Sequence, residues 1–416
     1  MKKVIVVSAH FPPLNTMAAK RFGYMCKYFK ENGYDYTIIS MRSHNKSYLG
    51  AKNDLDCSLY AGKIITIGEL GITYPLYNIL TEFAFLYVNK RGYVSRIMEE
   101  QSLGWYEKVK NELDINQVAD AVCVIGTFPD IGNILVAKYI GKKLKVPVVA
   151  DIRDLISDYS EGMNRNRKDE FFERCMERAI LCGVTAISTT TSGFFKILRG
   201  RYSNKKVITV YNGWDDERES YTEALKENED DRYLYFAGTL YEHRIESLLM
   251  LLRLIKNNDL RVYVKIRSLG PEALTVRLKK ALCDEELTDY AEILEPAKEY
   301  VVREEQQRAL INVVPSSLDC NDKALMTTIP GKLFELIRCN RPVLAIISSE
   351  SEVGRILDEC NKGIATSEYD KIVHFIREGY REYKGNKKID RYSRREQTRN
   401  LCNLLDDITL VRRRWQ

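Results

Sequence analysis

The chain has 416 residues, too long for one compact core, and divides naturally into two domains of roughly 200 residues each. Its composition is 45% hydrophobic and 29% charged, and the net charge of +6 is interleaved along the chain, which argues against a nucleic-acid binder and is compatible with approach to an anionic membrane surface. Ten cysteines without a C-x-x-C pair and four histidines at no ligand spacing argue against structural zinc, and with no signal peptide before the first strand they point to free thiols in a reducing cytoplasm.

Residues 2–8, Lys-Lys-Val-Ile-Val-Val-Ser, form a β-branched run expected of a central parallel strand buried on both faces. A loop with His10, Pro12, Pro13 and Asn15 follows, then an amphipathic helix over 17–32 ended by Gly33, then a strand over 36–40. The same strand, helix and strand order recurs at 121–125, 131–143 and 146–150, so the expected topology is doubly wound. Ligands of such sheets bind beyond the carboxyl ends of the strands, which makes the loop after the first strand a candidate site although it holds no G-x-G-x-x-G. The apolar window at 72–88 contains Pro75, Asn78 and Glu82 and reads as a buried or interfacial helix, not a membrane span.

Residues 126–130, Gly-Thr-Phe-Pro-Asp, read as a capped turn between strand and helix. Asp151, Arg153 and Asp154 place three charges at the end of a strand. Either Arg153 anchors an anion while Asp154 orients a hydroxyl, or an Asp–Arg pair fixes the loop. A charged helix over 169–182, a strand over 184–187, a Ser/Thr helix cap at 188–191 and a strand over 207–210 lead to the turn Asn212-Gly213 and a linker-like polar run at 215–231.

A strand over 233–237 opens a second alternating series and runs into Gly238, Thr239 and Arg244, followed by a helix over 245–256. Further strands are expected at 261–266, 291–294, 309–314, 343–347 and 363–365. Within 328–346, Pro330 and Gly331 turn into a helix with the apolar stripe Leu333, Phe334, Leu336 and Ile337. Its first turn suits a phosphate, Lys332 adds a cation, and Glu335 is a carboxylate able to hold ribose hydroxyls. An ordinary α/β unit with a solvated Lys and Glu has the same local pattern. Leu401, Leu404, Leu405 and Ile408 recur at helical spacing in the last stretch, whose Arg412, Arg413 and Arg414 either touch lipid headgroups or fray.

Pro330-Gly331-Lys332-Leu333-Phe334-Glu335, with Cys339-Asn340-Arg341-Pro342 after it, resembles the donor-binding segment of GT-B-fold glycosyltransferases, especially the large retaining family four. His10-Phe11-Pro12-Pro13, Asp151 to Asp154, Asn212-Gly213-Trp214-Asp215 and Gly238 to Arg244 resemble further segments of that family in the same order. The resemblance implies an α/β protein of two Rossmann-like doubly wound domains facing a central cleft: 1–210 on the acceptor side, 211–390 binding the nucleotide sugar, and 391–416 crossing back to the first. It implies a cytoplasmic, metal-independent hexosyltransferase without a cofactor, moving a sugar from a nucleoside-diphosphate sugar to a saccharide or lipid-linked saccharide. Retention of configuration, a role in cell-surface polysaccharide or glycolipid synthesis and peripheral contact with the inner membrane surface are implied with it.

Arg244, Lys332, Asp154 and His10 would carry the chemistry, with Gly238, Thr239, Gly331, Leu333, Glu335 and Arg153 in donor binding and no metal site. Lys265 or Arg267 would assist Arg244. Asp54-Leu55-Asp56 has the spelling of a metal motif, but no strand leads into it. The family's paired motif, two glutamates separated by seven residues, has Thr327 in place of its first glutamate. The rival readings are a nucleotide-sugar epimerase on the same fold and a non-catalytic nucleotide-binding subunit.

Overall fold

A computed structural model of the chain describes residues 1–42, 55, 62–72, 93–157, 167–215, 232–268, 270–316, 318, 323–383 and 387–413. The apolar window at 73–88, the polar run at 216–231, Asp54, Asp56 and residues 414–416 lie outside the described residues. By its internal contacts the chain splits into two units, Met1–Asp215 with Arg394–Gln416, and Asp216–Ser393.

The first unit is built on β1 (Lys2–Val7), β2 (Tyr34–Arg42), β3 (Lys63–Glu69), β4 (Ala121–Phe128), β5 (Val148–Ile152), β6 (Ala186–Thr189) and β7 (Lys206–Thr209). All pair in parallel, in the order β3-β2-β1-β4-β5-β6-β7. The helices are α1 (Met17–Met25), α2 (Tyr93–Glu112), α3 (Ile131–Leu144), α4 (Arg167–Leu181) and α5 (Ser192–Arg201). The run at the start of β1 shows why both faces of the sheet are covered. Ile5 and Val7 enter a layer with Trp105, Val109 and Ile134, while Val4 and Val6 enter an opposite layer with Phe22, Met25 and Phe29.

Three features differ from the sequence expectation. The helix expected over 17–32 is α-helical only to Met25; 3₁₀ turns at Cys26–Tyr28 and Lys30–Asn32 follow, and Gly33 closes them at φ 79°. The tighter winding turns Cys26, Tyr28 and Phe29 all into the core. Strand β3 and helix α2 were not anticipated. β3 is an edge strand with Ile64 exposed, so its pattern is weak, and α2 is fastened to it by Trp105, whose Nε1 donates to the Ile67 carbonyl at 2.7 Å.

The second unit holds β8 (Tyr233–Gly238), β9 (Tyr263–Ser268), β10 (Ala291–Leu294), β11 (Ile311–Pro315), β12 (Val343–Ile346) and β13 (Gly363–Ala365), all parallel, in the order β10-β9-β8-β11-β12-β13. Its helices are α6 (Glu242–Asn257), α7 (Glu272–Asp284), α8 (Glu299–Arg308), α9 (Lys323–Thr327), α10 (Lys332–Arg338), α11 (Glu352–Glu359) and α12 (Tyr369–Arg377). β13 needs the glycine at its start: Gly363 has φ +146° and any Cβ there would stand 1.8 Å from the Val343 carbonyl oxygen.

The last helix, α13 (Arg394–Arg413), returns to the first unit. Leu401, Leu404, Leu405 and Ile408 pack in the layer under Val4 and Val6, and Asp406 takes hydrogen bonds from Lys2 Nζ at 2.5 Å and Tyr34 Oη at 2.6 Å. Leu405 is fully buried, so Leu405→Ala is expected to cost about 2–5 kcal/mol of stability, read from denaturant unfolding. A loss below about 0.5 kcal/mol would mean that α13 is not part of that core.

Candidate functional site

In each sheet the strand order reverses direction at one place, and crevices at such points are where doubly wound folds receive ligands. In the first unit the reversal lies between β1 and β4. His10, in the turn after β1, is buried, and its Nε2 stands 3.9 Å from Asp130 Oδ2 in the turn after β4. Asp130 sits at the N-cap of α3 at φ 92°, a region other than glycine seldom enters, and makes no cap hydrogen bond. The capped turn expected there is therefore a strained turn with its carboxyl directed to His10. Burial raises the Asp130 carboxyl above its ordinary pKa, and His10 and Arg153 offset part of that rise.

Arg153 donates from both Nε and its backbone N–H to the Phe128 carbonyl, at 2.9 and 3.2 Å. Burial lowers its pKa, while Asp154, Asp151 and Asp130 nearby oppose the change. Burial likewise raises Asp154, with Arg153 the main opposing charge. The structure thus brings His10, Asp130, Arg153 and Asp154 to the carboxyl ends of β1, β4 and β5.

The loops are braced by pairings that the sequence did not single out. Asp151 is fully buried and its partner is Arg21 of α1, not Arg153: Arg21 Nη2 and Nε donate to its two oxygens at 2.6 and 2.8 Å, with Thr127 and Ser188 hydroxyls completing the set. Burial would raise the Asp151 pKa, but the Arg21 guanidinium overrides it and the carboxyl lies below its usual range. Arg21 also reaches the Asn212 side chain at 2.9 Å. Its signal in the sequence is position: Arg21 lies in helical register with Met25 and Tyr28, both buried. Asn133 ties the first loop to the fourth strand, accepting from the Ala9 N–H at 2.8 Å and donating to the Thr127 carbonyl at 2.7 Å.

In the second unit the reversal lies between β8 and β11. Arg244, in the first turn of α6, donates from Nη1 to the Thr239 carbonyl at 2.8 Å. Lys332, 95 positions beyond its acceptor, opens α10 and donates from Nζ to the Ala237 carbonyl at 2.7 Å. Two cations from separate helices therefore meet at one loop, with Gly238 between their acceptors. A Cβ on Gly238 would press on the Phe236 ring at 3.1 Å and stand 3.7 Å from Lys332 Nζ, so glycine keeps the loop open to close approach.

Gly331 is the N-cap of α10, and Leu333 is a core residue whose N–H bonds the Pro330 carbonyl at 2.9 Å. Glu335 is half-buried, and its carboxylate has no hydrogen-bond or ion-pair partner among the described residues. Lys265 and Arg267 do not join Arg244. Arg267 is bound bidentately to Glu305 at 2.8 and 2.5 Å, and Lys265 Nζ lies 3.9 Å from the Tyr233 ring centre.

No protein-family model matches the sequence, and no curated protein matches it. Solved structures do. Sucrose-phosphate synthase from Thermosynechococcus elongatus superposes with a TM-score of 0.59 at 11% identity, covering 100% of this chain and 98% of that one. Anabaena Alr3699/HepE, solved with UDP and glucose, gives 0.57 at 8% identity, covering 99% and 98%. These structures and the two doubly wound parallel sheets agree along the whole length. The chain has the GT-B fold. UDP-GlcNAc 2-epimerase from Methanocaldococcus jannaschii also matches, with a TM-score of 0.50 at 12% identity over 98% of this chain and 99% of that one.

The GT-B chain carries no cluster of three or more His, Cys, Asp or Glu fit to hold a metal among its described residues. No described helix is long and apolar enough to cross a membrane. The described cysteines are free, and burial pushes the Cys339 thiol up to about 11 and Cys360 up to about 12, far from a reactive thiolate at neutral pH.

Proposed function

We propose that the protein is a glycosyltransferase that takes a sugar from a nucleoside-diphosphate sugar and joins it to a hydroxyl of a saccharide or lipid-linked saccharide. The observation that carries this reading is the meeting of Lys332 and Arg244 at the carbonyls of Ala237 and Thr239, where β8 ends at the reversal of strand order. Cleaving the glycosidic bond to the donor leaves negative charge on the departing diphosphate. Cations already in place stabilise that charge without reorganising during the reaction. Arg244 supplies a planar fork for two phosphate oxygens and Lys332 a point charge, so transfer in this reading is metal-independent. Glu335, with its carboxylate unengaged among the described residues, accepts hydrogen bonds from the ribose hydroxyls.

The first unit receives the acceptor in this reading, with Arg153 and Asp154 orienting it. Retention of configuration requires no side-chain base, the acceptor hydroxyl entering on the face the diphosphate leaves. Inversion would instead draw on His10 or Asp154 as base. UDP-sugars are the first donors to test, because HepE, which shares the fold, was solved with UDP and glucose. A cytoplasmic enzyme at the membrane face, serving polysaccharide or glycolipid assembly, fits the chain's +6 charge.

The test measures transfer and nucleotide binding in wild type and Glu335→Ala. Losing hydrogen bonds to a carboxylate is worth about 1.5–3 kcal/mol, so KM for the nucleotide sugar is expected to rise roughly 10- to 100-fold. Unchanged KM would remove Glu335 from the site. An isomerised sugar formed from donor alone would replace transfer with epimerisation. Tight nucleotide binding without turnover in any donor and acceptor panel would leave a non-catalytic subunit, the reading that Thr327 favours. The anomeric configuration of the product, read by NMR, decides retention.

A further inference from the structure

Tyr241 is an unusual residue for the start of a helix. It is the N-cap of α6, a position that favours Ser, Thr, Asp or Asn, and its side chain makes no cap hydrogen bond. The residue is also 43% exposed, so it is not there to fill the core. What it touches is the loop's cation. The Arg244 guanidinium carbon stands 4.8 Å from the ring centre, and the His243 ring stacks on the tyrosine at 5.6 Å and 13°. The Tyr241 carbonyl accepts the Arg244 N–H at 3.0 Å, and the Thr239 carbonyl takes Nη1 at 2.8 Å.

An arginine on a surface helix turn ordinarily samples many rotamers, and ordering it when a ligand arrives costs binding energy. Here the guanidinium is held by a carbonyl on its edge and by an aromatic ring. A planar, weakly hydrated cation stacks on such a ring, and the contact does not neutralise its charge. The residue that breaks the capping rule is thus the one that orders Arg244, which is how local rules fail at functional positions.

We propose that Tyr241 is a positioning residue of the second unit's anion site, holding the Arg244 guanidinium beside the turn after β8 so that it meets a nucleoside diphosphate already oriented. This rests on the reading of that turn as the donor diphosphate site. Tyr241 does not contact the reacting atoms; it acts through Arg244.

The experiment uses the full chain with four variants: Tyr241→Phe and Tyr241→Trp keep an aromatic face, Tyr241→Leu removes it, and Tyr241→Ser removes it while giving α6 a better cap. Binding of UDP, GDP and ADP is measured by calorimetry, with thermal melts in parallel. For whichever diphosphate wild type binds, Tyr241→Leu and Tyr241→Ser are expected to weaken affinity by about 5- to 30-fold, and the aromatic variants by less than about twofold. Tyr241→Ser is expected to melt no lower than wild type, which separates positioning from folding. In an Arg244→Ala background, Tyr241→Leu is expected to have no further effect. Equal affinity across all four variants, or a Tyr241→Leu loss that persists undiminished without Arg244, overturns the inference and leaves the donor-site reading standing. Failure of wild type to bind any diphosphate overturns that reading itself, and the inference with it.

Discussion

Arg244→Ala is expected to lower kcat/KM for nucleotide-sugar turnover by about 10²–10³, the scale of losing one preorganised partner of a developing charge. The Arg244 guanidinium is held at the Thr239 carbonyl, one residue from Gly238, where the lack of a side chain leaves the backbone open to close approach. Lys332 remains on the Ala237 carbonyl in the variant, so activity falls without vanishing. Arg244→Lys keeps the charge but loses the fork and the planar stacking on Tyr241, and is expected to lie between wild type and alanine. Initial-rate kinetics with saturating acceptor measure the effect, and UDP affinity should fall in parallel. Unchanged kinetics in Arg244→Ala would sink the donor-site assignment.

The largest expected loss of stability belongs to Arg21→Ala, at about 3–5 kcal/mol, the penalty of leaving one charge of a buried pair alone. Arg21 is 3% exposed and Asp151 fully buried, and the guanidinium also serves the Asn212 side chain and the Val210 carbonyl. One substitution therefore strips partners from α1, β5 and the segment after β7. Replacing both members by apolar residues, Arg21→Met with Asp151→Leu, is expected to cost less than Arg21→Ala alone, because no charge is then left buried.

The pH dependence has a definite sign. Asp151 titrates below its ordinary value in the folded chain, so its contribution is fully present above the unfolded carboxylate pKa of about 3.9 and is lost as pH falls through the lower folded pKa. Arg21→Ala removes the cause of that depression and leaves burial, which raises the carboxyl, so the variant's loss of stability relative to wild type should be largest near neutral pH and narrow as pH falls through the acid range. Denaturant unfolding followed by circular dichroism across pH 3–7 checks both effects. A variant as stable as wild type at neutral pH would show that the pair is not a structural tie.

Some elements were legible because their residues answer to a local rule. β1 reads from its unbroken β-branched run, since a strand covered on both faces is apolar at every position. α10 reads from Pro330 and Gly331 before a helical stripe, and Leu333, Phe334, Leu336 and Ile337 are all buried. β3 was not legible because an edge strand with Ile64 exposed keeps little alternation. The 3₁₀ turns after Met25 were read as helix, since they share the stripe of α1 and differ only in winding. At the candidate site, the residue types at the ends of β1, β5 and β8 pointed to chemistry, but which charge serves which partner could not be read from them.

By itself, then, the sequence determined two alternating α/β series, the loops at which each sheet would present ligands, and the cations and carboxylates carried there. Only the tertiary structure decided their partnerships. Asp151 is matched by Arg21 and not by its neighbour Arg153, Arg267 is withdrawn to Glu305, and Arg244 and Lys332 converge on carbonyls either side of Gly238. Periodicity and turn chemistry act over a few residues, whereas these pairings join positions brought together by strand order and register, which depend on how the whole chain buries its apolar surface.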